Sequence, residues 1–196
     1  MKINYSIDKK EVLRYRGHKS EIVPPQLDDI TDEIIQKISS HITPRFVQGK
    51  FSVVQTENGV QLENGLLLRG QDIKKHLAGC DECFIICATV GVGADTFIRT
   101  MSVRGSVYGL VADAAATASV ESVCDNMENQ LRESLKAEKK YLTWRYSPGY
   151  GDFPFTQQPD ILSLRHMPQR IEISHDQIRR DALLLQIAQP AVRGDN

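Results

Sequence analysis

The longest uninterrupted pattern of apolar and polar positions lies over residues 106–140. No Pro or Gly breaks it after Gly109, and Leu110, Ala114, Ala118, Val123, Met127, Leu131 and Leu135 keep a helical period. A helix of about thirty residues would run about 45 Å. Ala112, Ala114, Ala115, Ala116 and Ala118 crowd its first half, so another backbone or a ligand could come close. Residues 83–90 (CFIICATV) form a continuous apolar run, which by length, β-branching and flanks predicts a buried strand. The run leads into Gly91-Val92-Gly93-Ala94-Asp95 and a helix to about Met101.

Shorter elements surround these two. Residues 8–18 read as a short helix ending at Gly17. Pro24-Pro25 breaks the chain, and Leu27, Ile30, Ile34, Ile38 and Ile42 predict a helix over 27–42, closed by Pro44. Residues 45–55 and 59–62 alternate as strands around Glu57-Asn58-Gly59, with a further strand at Leu66-Leu67-Leu68 and a helix over 70–78 stopped at Gly79. Residues 145–159 hold three Pro and two Gly and read as a loop. A short helix at 160–166 and a strand at 170–174 follow, and then an apolar stretch from Asp181 to Ala188. Helices and strands mix without strict alternation, so the class is α+β or irregular α/β in a single domain over 1–196. Residues 1–25 form an N-terminal arm and 180–196 a C-terminal tail.

Composition narrows the function. The 196 residues carry 24 Lys plus Arg against 25 Asp plus Glu, a net charge of −1, which removes the electrostatic footprint of a general nucleic-acid binder. No apolar run approaches the roughly 20 residues of a membrane span. The polar start, Met1 to Lys10, is unlike a secretory signal, so a cytoplasmic location is expected, with four reduced cysteines.

Four constellations could carry chemistry. Asp113, Thr117, Glu121 and Asp125 fall four residues apart on the long helix; the stripe could hold a cationic ligand or be a solvated face. In the loop Arg145-Tyr146-Ser147-Pro148-Gly149-Tyr150-Gly151-Asp152-Phe153-Pro154, Pro148-Gly149 suits a type II turn. Arg145 offers a fork for a carboxylate, and Tyr146, Tyr150 and Phe153 offer flat surfaces. Those groups suit a small zwitterionic or nucleoside-like ligand; equally, the aromatics could plug the core of a rigid surface loop. Cys80, Cys83 and Cys87 have a metal-like spacing, but Cys83 and Cys87 share one strand face with Ile85, so core cysteines and no metal site are expected. Gly91-Val92-Gly93 lacks the third glycine of a dinucleotide turn. His18, His41, His76, His166 and His175 are scattered and read as surface residues, Trp144 reads as core, and hydrolase motifs are absent.

The string Arg145 to Tyr150 resembles the R-x-x-P-G-Y motif of the activation domain of cobalamin-dependent methionine synthase. The longer R-Y-S-P-G-Y-G-D-F-P-F-x-x-Q is similar to short stand-alone proteins of that family. Glu11–Tyr15, the stretch Leu66–Leu77, Ala88–Gly91 and the helix Asp113–Asp125 resemble them in the same order, over roughly residues 8–165.

The resemblance implies a mixed, largely antiparallel sheet with one long central helix. It also implies S-adenosylmethionine as ligand and a supporting role in reductive methylation of cob(II)alamin. The cobalamin would be carried by a partner, a cobalamin-binding methyltransferase or other corrinoid protein, and the electron would come from a flavodoxin-like donor. No residue of this chain need be catalytic. Arg145 would take the ligand carboxylate, and Glu121, or Thr117 one turn earlier, would take its ammonium or ribose. Ser147 and Gly149 would offer backbone, and Tyr150 would pack on the ligand. The stretch Leu184–Arg193 departs from the family's usual ending. A related reading is a partner protein that kept the fold but lost the ligand.

Overall fold

The computed structural model describes residues 3–17, 22–164 and 182–190, the last stretch by its backbone. The expected strand at 170–174, the residues His18, His166 and His175 and the tail beyond 190 lie outside the described residues. The chain divides into two compact units, one built from residues 1–45, 88–126 and 173–182, the other from 46–87, 127–172 and 183–196.

The first unit is helical. Helix α1 (Lys9–Tyr15) starts where the Asp8 carboxylate accepts the Lys10 N–H, and it buries Val12 and Leu13. Helix α2 (Pro25–Ile38) begins on a proline, whose missing N–H costs nothing at the first helical position. Pro25 thus starts the helix rather than merely breaking the chain. Lys9 Nζ bridges Asp28 and Asp32 of α2 at 2.7 Å each. The helix ends at Ile38, four residues earlier than its apolar spacing predicts. There the Ser39 and Ser40 hydroxyls donate to the Ile35 and Lys37 carbonyls, and the His41 N–H turns back to Ile38 O at 2.8 Å. Ile42 stays buried because that turn carries it inward. Helix α4 (Val92–Arg104) opens after Gly91, and residues 106–126 of helix α5 (Ser106–Lys136) complete the unit. At 31 residues, α5 matches the long helical pattern.

The second unit carries the sheet. Strands β1 (Arg45–Thr56), β2 (Gly59–Leu62), β3 (Leu67–Arg69), β4 (Glu82–Thr89), β5 (Lys140–Leu142) and β6 (Ala182–Pro190) lie in the order β3-β2-β1-β4-β6-β5. The pairs β1–β2, β2–β3 and β5–β6 are antiparallel, with Val53 opposite Leu62, Val60 opposite Leu68 and Tyr141 opposite Gln189. Helix α3 (Gln71–His76) follows β3, and a 3-10 turn (Phe155–Gln157) leads into α6 (Gln158–Leu162). The expected helix at 160–166 therefore starts two residues earlier. The class is α+β, as the mixed order of elements predicts.

Strand β4 explains its own composition. Its odd positions Cys83, Ile85 and Cys87 join a cluster with Phe51, Ile73, Leu77, Phe153 and Ile161. Its even positions Phe84 and Ile86 join another with Met127, Leu131, Leu135 and Leu142. Both faces are covered, so neither can be polar. The four cysteines are buried, and burial pushes the Cys83 thiol up to about 12, where it acts as a small apolar side chain. Among the described residues no group of His, Cys, Asp and Glu could hold a metal ion.

Ile85 and Ile86 are both 0% exposed, on opposite faces of one strand. Truncating either to Ala is expected to cost about 2–5 kcal/mol in urea unfolding. If one of the two variants unfolded like the wild type, that face of β4 would not be packed as described.

Candidate functional site

The proline-rich loop is closed by backbone hydrogen bonds. The Tyr150 N–H donates to Ser147 O at 3.1 Å across Pro148-Gly149, and Gly149 has φ +100°, so the type II turn forms with glycine where positive φ is required. A second turn follows, with the Phe153 N–H donating to Tyr150 O at 3.0 Å and the Gly149 N–H to Phe153 O at 2.8 Å. The loop thereby folds back on itself and offers Tyr150 to solvent, 57% exposed. Phe153 points the other way and is 1% exposed within the larger apolar cluster. Tyr146, partly buried, packs on that cluster and donates its hydroxyl to Tyr150 O at 3.1 Å. The sequence left two roles open for these aromatics, and the structure divides them: Phe153 and Tyr146 anchor, Tyr150 projects.

Two further contacts tie the loop down. Gln157 stands in for a strand partner of β3, accepting the Arg69 N–H and donating to Leu67 O, both at 2.6 Å. Asp152 reaches the first turn of α3, accepting the Gln71 N–H at 2.7 Å and the Asp72 N–H at 2.9 Å. These backbone donors hold the Asp152 carboxyl below its ordinary value.

Arg145 enters the loop half-buried and paired. Its Nε lies 3.6 Å from Glu128 Oε2 on α5, and the same carboxylate takes the Arg132 guanidinium. Arg132 also donates to Leu142 O at 3.0 Å, which fixes the end of β5 just before the loop.

Trp144 is 71% exposed and so is not the core residue its apolar character suggests. Leu142 takes the buried position, and the Trp144 ring lies against His76, 5.2 Å between centroids. His76 stacks on Tyr146 at 4.8 Å, and Tyr146 on Phe153 at 6.2 Å. The expectation of scattered surface histidines therefore fails at His76. Burial holds its imidazole below the ordinary 6.5, offset in part by hydrogen bonding to the Trp144 backbone.

In the first unit, Thr117 lines a small cleft, partly open to solvent, together with Asp113, Asp95, Gly91 and Ala94. The Thr117 hydroxyl donates to Asp113 O at 3.0 Å, so its side chain is engaged along its own helix. Glu121 is half-buried one turn further on, and its charge raises the Tyr15 phenol in second place after burial. Of the residues singled out from sequence, Arg145, Ser147, Gly149 and Tyr150 thus share one turn system in the second unit, while Thr117 and Glu121 lie on the first unit's part of α5. Sequence reasoning gave no role of their own to Asp72, Asp152 and Glu128, and read His76 as a surface residue. The signals were thin: an Asp two residues after Gly70, another directly after Gly151, and a Glu in register on a long helix.

A long helix and a largely antiparallel sheet, with a proline-glycine loop tied to the sheet edge, define an α+β domain of a known kind. No family model matches the chain, and no curated protein matches it. Solved structures do: one is the crystal structure of the MetH reactivation domain bound to AdoHcy, with a TM-score of 0.57 and 14% identity over 87% of this chain. The match takes in 66% of that chain's length. The fold is therefore that of the MetH reactivation domain. No helix of the described residues is long and apolar enough to cross a membrane.

A His whose native pKa is lowered adds stability above its unfolded value of 6.5, and that stability is lost as pH falls through the native value. Thermal melts between about pH 5 and 8 should show the wild type losing Tm on acidification relative to His76→Phe, which keeps the ring stack. Parallel curves would show that the imidazole is not held neutral by the stack.

Proposed function

We propose that this chain binds S-adenosylmethionine and supports reductive methylation of cob(II)alamin carried by a cobalamin-dependent methionine synthase or related corrinoid protein. The observation that carries the reading is the hydrogen-bonded Arg145–Phe153 loop with its projecting Tyr150, set in the fold of a domain whose solved structure holds AdoHcy. AdoHcy is the demethylated form of S-adenosylmethionine, so the neighbour's ligand has the same carboxylate, ammonium and adenosine.

The reading gives each of these residue types a part of the ligand. A half-buried guanidinium at Arg145, oriented by Glu128, suits a carboxylate. The exposed ring of Tyr150 gives a flat surface for the adenosine or the methionine chain. A half-buried acid at Glu121, with Thr117 one turn earlier, suits an ammonium or ribose hydroxyls. Ser147 and Gly149 present backbone in a fixed turn. When bound, the ligand supplies an already activated methyl group, so the chain needs no general base. Its residues would bind, orient and exclude water. The partner supplies the cobalamin, a flavodoxin-like donor supplies the electron, and the setting is cytoplasmic.

A second reading is a partner protein of a corrinoid enzyme that kept the fold without the ligand. The internal ion pair of Arg145 with Glu128 favours it, because a guanidinium can be retained for that pair alone.

Isothermal titration with S-adenosylmethionine, and with S-adenosylhomocysteine alongside, separates the two. Saturable one-to-one binding is expected, with Arg145→Ala weakening it by about 1.5–3 kcal/mol, the usual worth of a charge-assisted hydrogen bond. An unchanged dissociation constant in Arg145→Ala would remove that residue from the site. No heat at millimolar ligand would favour the second reading.

A further inference from the structure

We infer that Asp72 and Asp152 are positioning residues: a reciprocal carboxylate–amide lock between the first turn of α3 and the proline-glycine loop that sets where Tyr150 and the Ser147 backbone stand for the ligand. The inference rests on the S-adenosylmethionine reading above.

The lock is closed from both sides. Asp152 accepts the N–H groups of Gln71 and Asp72, and its own N–H donates to Asp72 Oδ2 at 3.3 Å. Each aspartate therefore uses its carboxylate on the other's backbone, across 80 residues of sequence. The space at the lock leaves no room for side chains on the flanking residues. A Cβ at Gly70 would stand 2.7 Å from Asp152 Oδ1, and one at Gly151 would collide with Asp72 Oδ2 and the Tyr146 hydroxyl. Both glycines have positive φ, +136° and +53°. Backbone conformation, absent side chains and paired acids thus serve one junction.

The junction bears on Tyr150 directly. Asp152 is two residues beyond it, and the intervening Gly151 is pinned between Asp72 and Tyr146. The Tyr146 hydroxyl donates to Tyr150 O, and the negative charges of Asp72 and Asp152 add to burial in raising the Tyr146 phenol, so it remains a donor at neutral pH. The Tyr150 ring is exposed, so its own burial does not fix where it stands. An ordinary surface loop could relax there. The lock prevents that relaxation, which is what a binding residue needs from its neighbours.

The test compares S-adenosylmethionine binding, by titration calorimetry at a temperature where all variants are folded, for the wild type, Asp152→Ala, Asp152→Asn and Ile86→Val. Amide hydrogen exchange is followed at Gly149 and Phe153. Asp152→Ala should raise Kd by roughly tenfold or more and speed exchange at both amides. Asp152→Asn, which keeps one acceptor, should fall between it and the wild type. Ile86→Val, a core change that lowers Tm without touching the loop, should leave Kd and both exchange rates unchanged. Wild-type Kd and exchange rates in Asp152→Ala would overturn the lock. So would a Kd that follows Tm alike in Ile86→Val and Asp152→Ala, since the aspartate would then act only through stability. Absence of binding by the wild type would remove the ligand reading and the positioning role with it. Binding by the wild type with an indifferent Asp152→Ala removes the lock alone.

Discussion

Burial of both faces of β4 is the constraint on which the second unit is built. A strand with one wet face can alternate, and its other side can be left bare. Here Ile85 and Ile86 point opposite ways and are both fully buried, so each face demands a separate cover. The end of α5 supplies one through Met127, Leu131 and Leu135. The other is assembled from pieces far apart in sequence: β1, α3, Phe153 of the loop and Ile161 of α6. The loop is thus part of the core's lid on that face, which is why it has a fixed shape despite three prolines and two glycines.

That anchoring explains how one short segment can be both rigid and exposed. Phe153 secures it by apolar burial, Gln157 by strand-like hydrogen bonds to β3, and Asp152 by accepting amides of α3. Apolar burial is strong but does not fix direction; hydrogen bonds are weaker in net terms but directional. Used together on residues 152–157, they leave the turn at 147–150 with little freedom while its outer ring faces solvent.

Sequence pattern revealed what depends on local periodicity. The long helix, the buried strand, the β1–β2 hairpin and the type II turn at Pro148-Gly149 could all be read, because each is dictated by residues within a few positions of one another. The pattern misled where a local competitor intervened: Ser39 and Ser40 end α2 by capturing carbonyls that apolar spacing would have kept in the helix. It was silent where the partner is distant. Nothing near Asp152 announces Asp72, nothing near Arg145 announces Glu128, and Trp144 could not be placed outside the core without knowing that Leu142 and Tyr146 fill the space. The R-Y-S-P-G-Y string suggested the family because its residues are contiguous; the residues that hold it in place are not.

The Arg145–Glu128 pair is the one feature that both readings of the protein claim. Glu128 is shared by Arg132 and Arg145, so the trio carries one negative and two positive charges. On the ligand reading, an incoming carboxylate would meet a guanidinium already oriented by an acid that is 15% exposed and so weakly screened. Arg145 without that acid would spend side-chain entropy on binding that the folded state has already spent. The cluster is therefore compatible with both readings, a guanidinium oriented for a carboxylate and one kept for its internal pair.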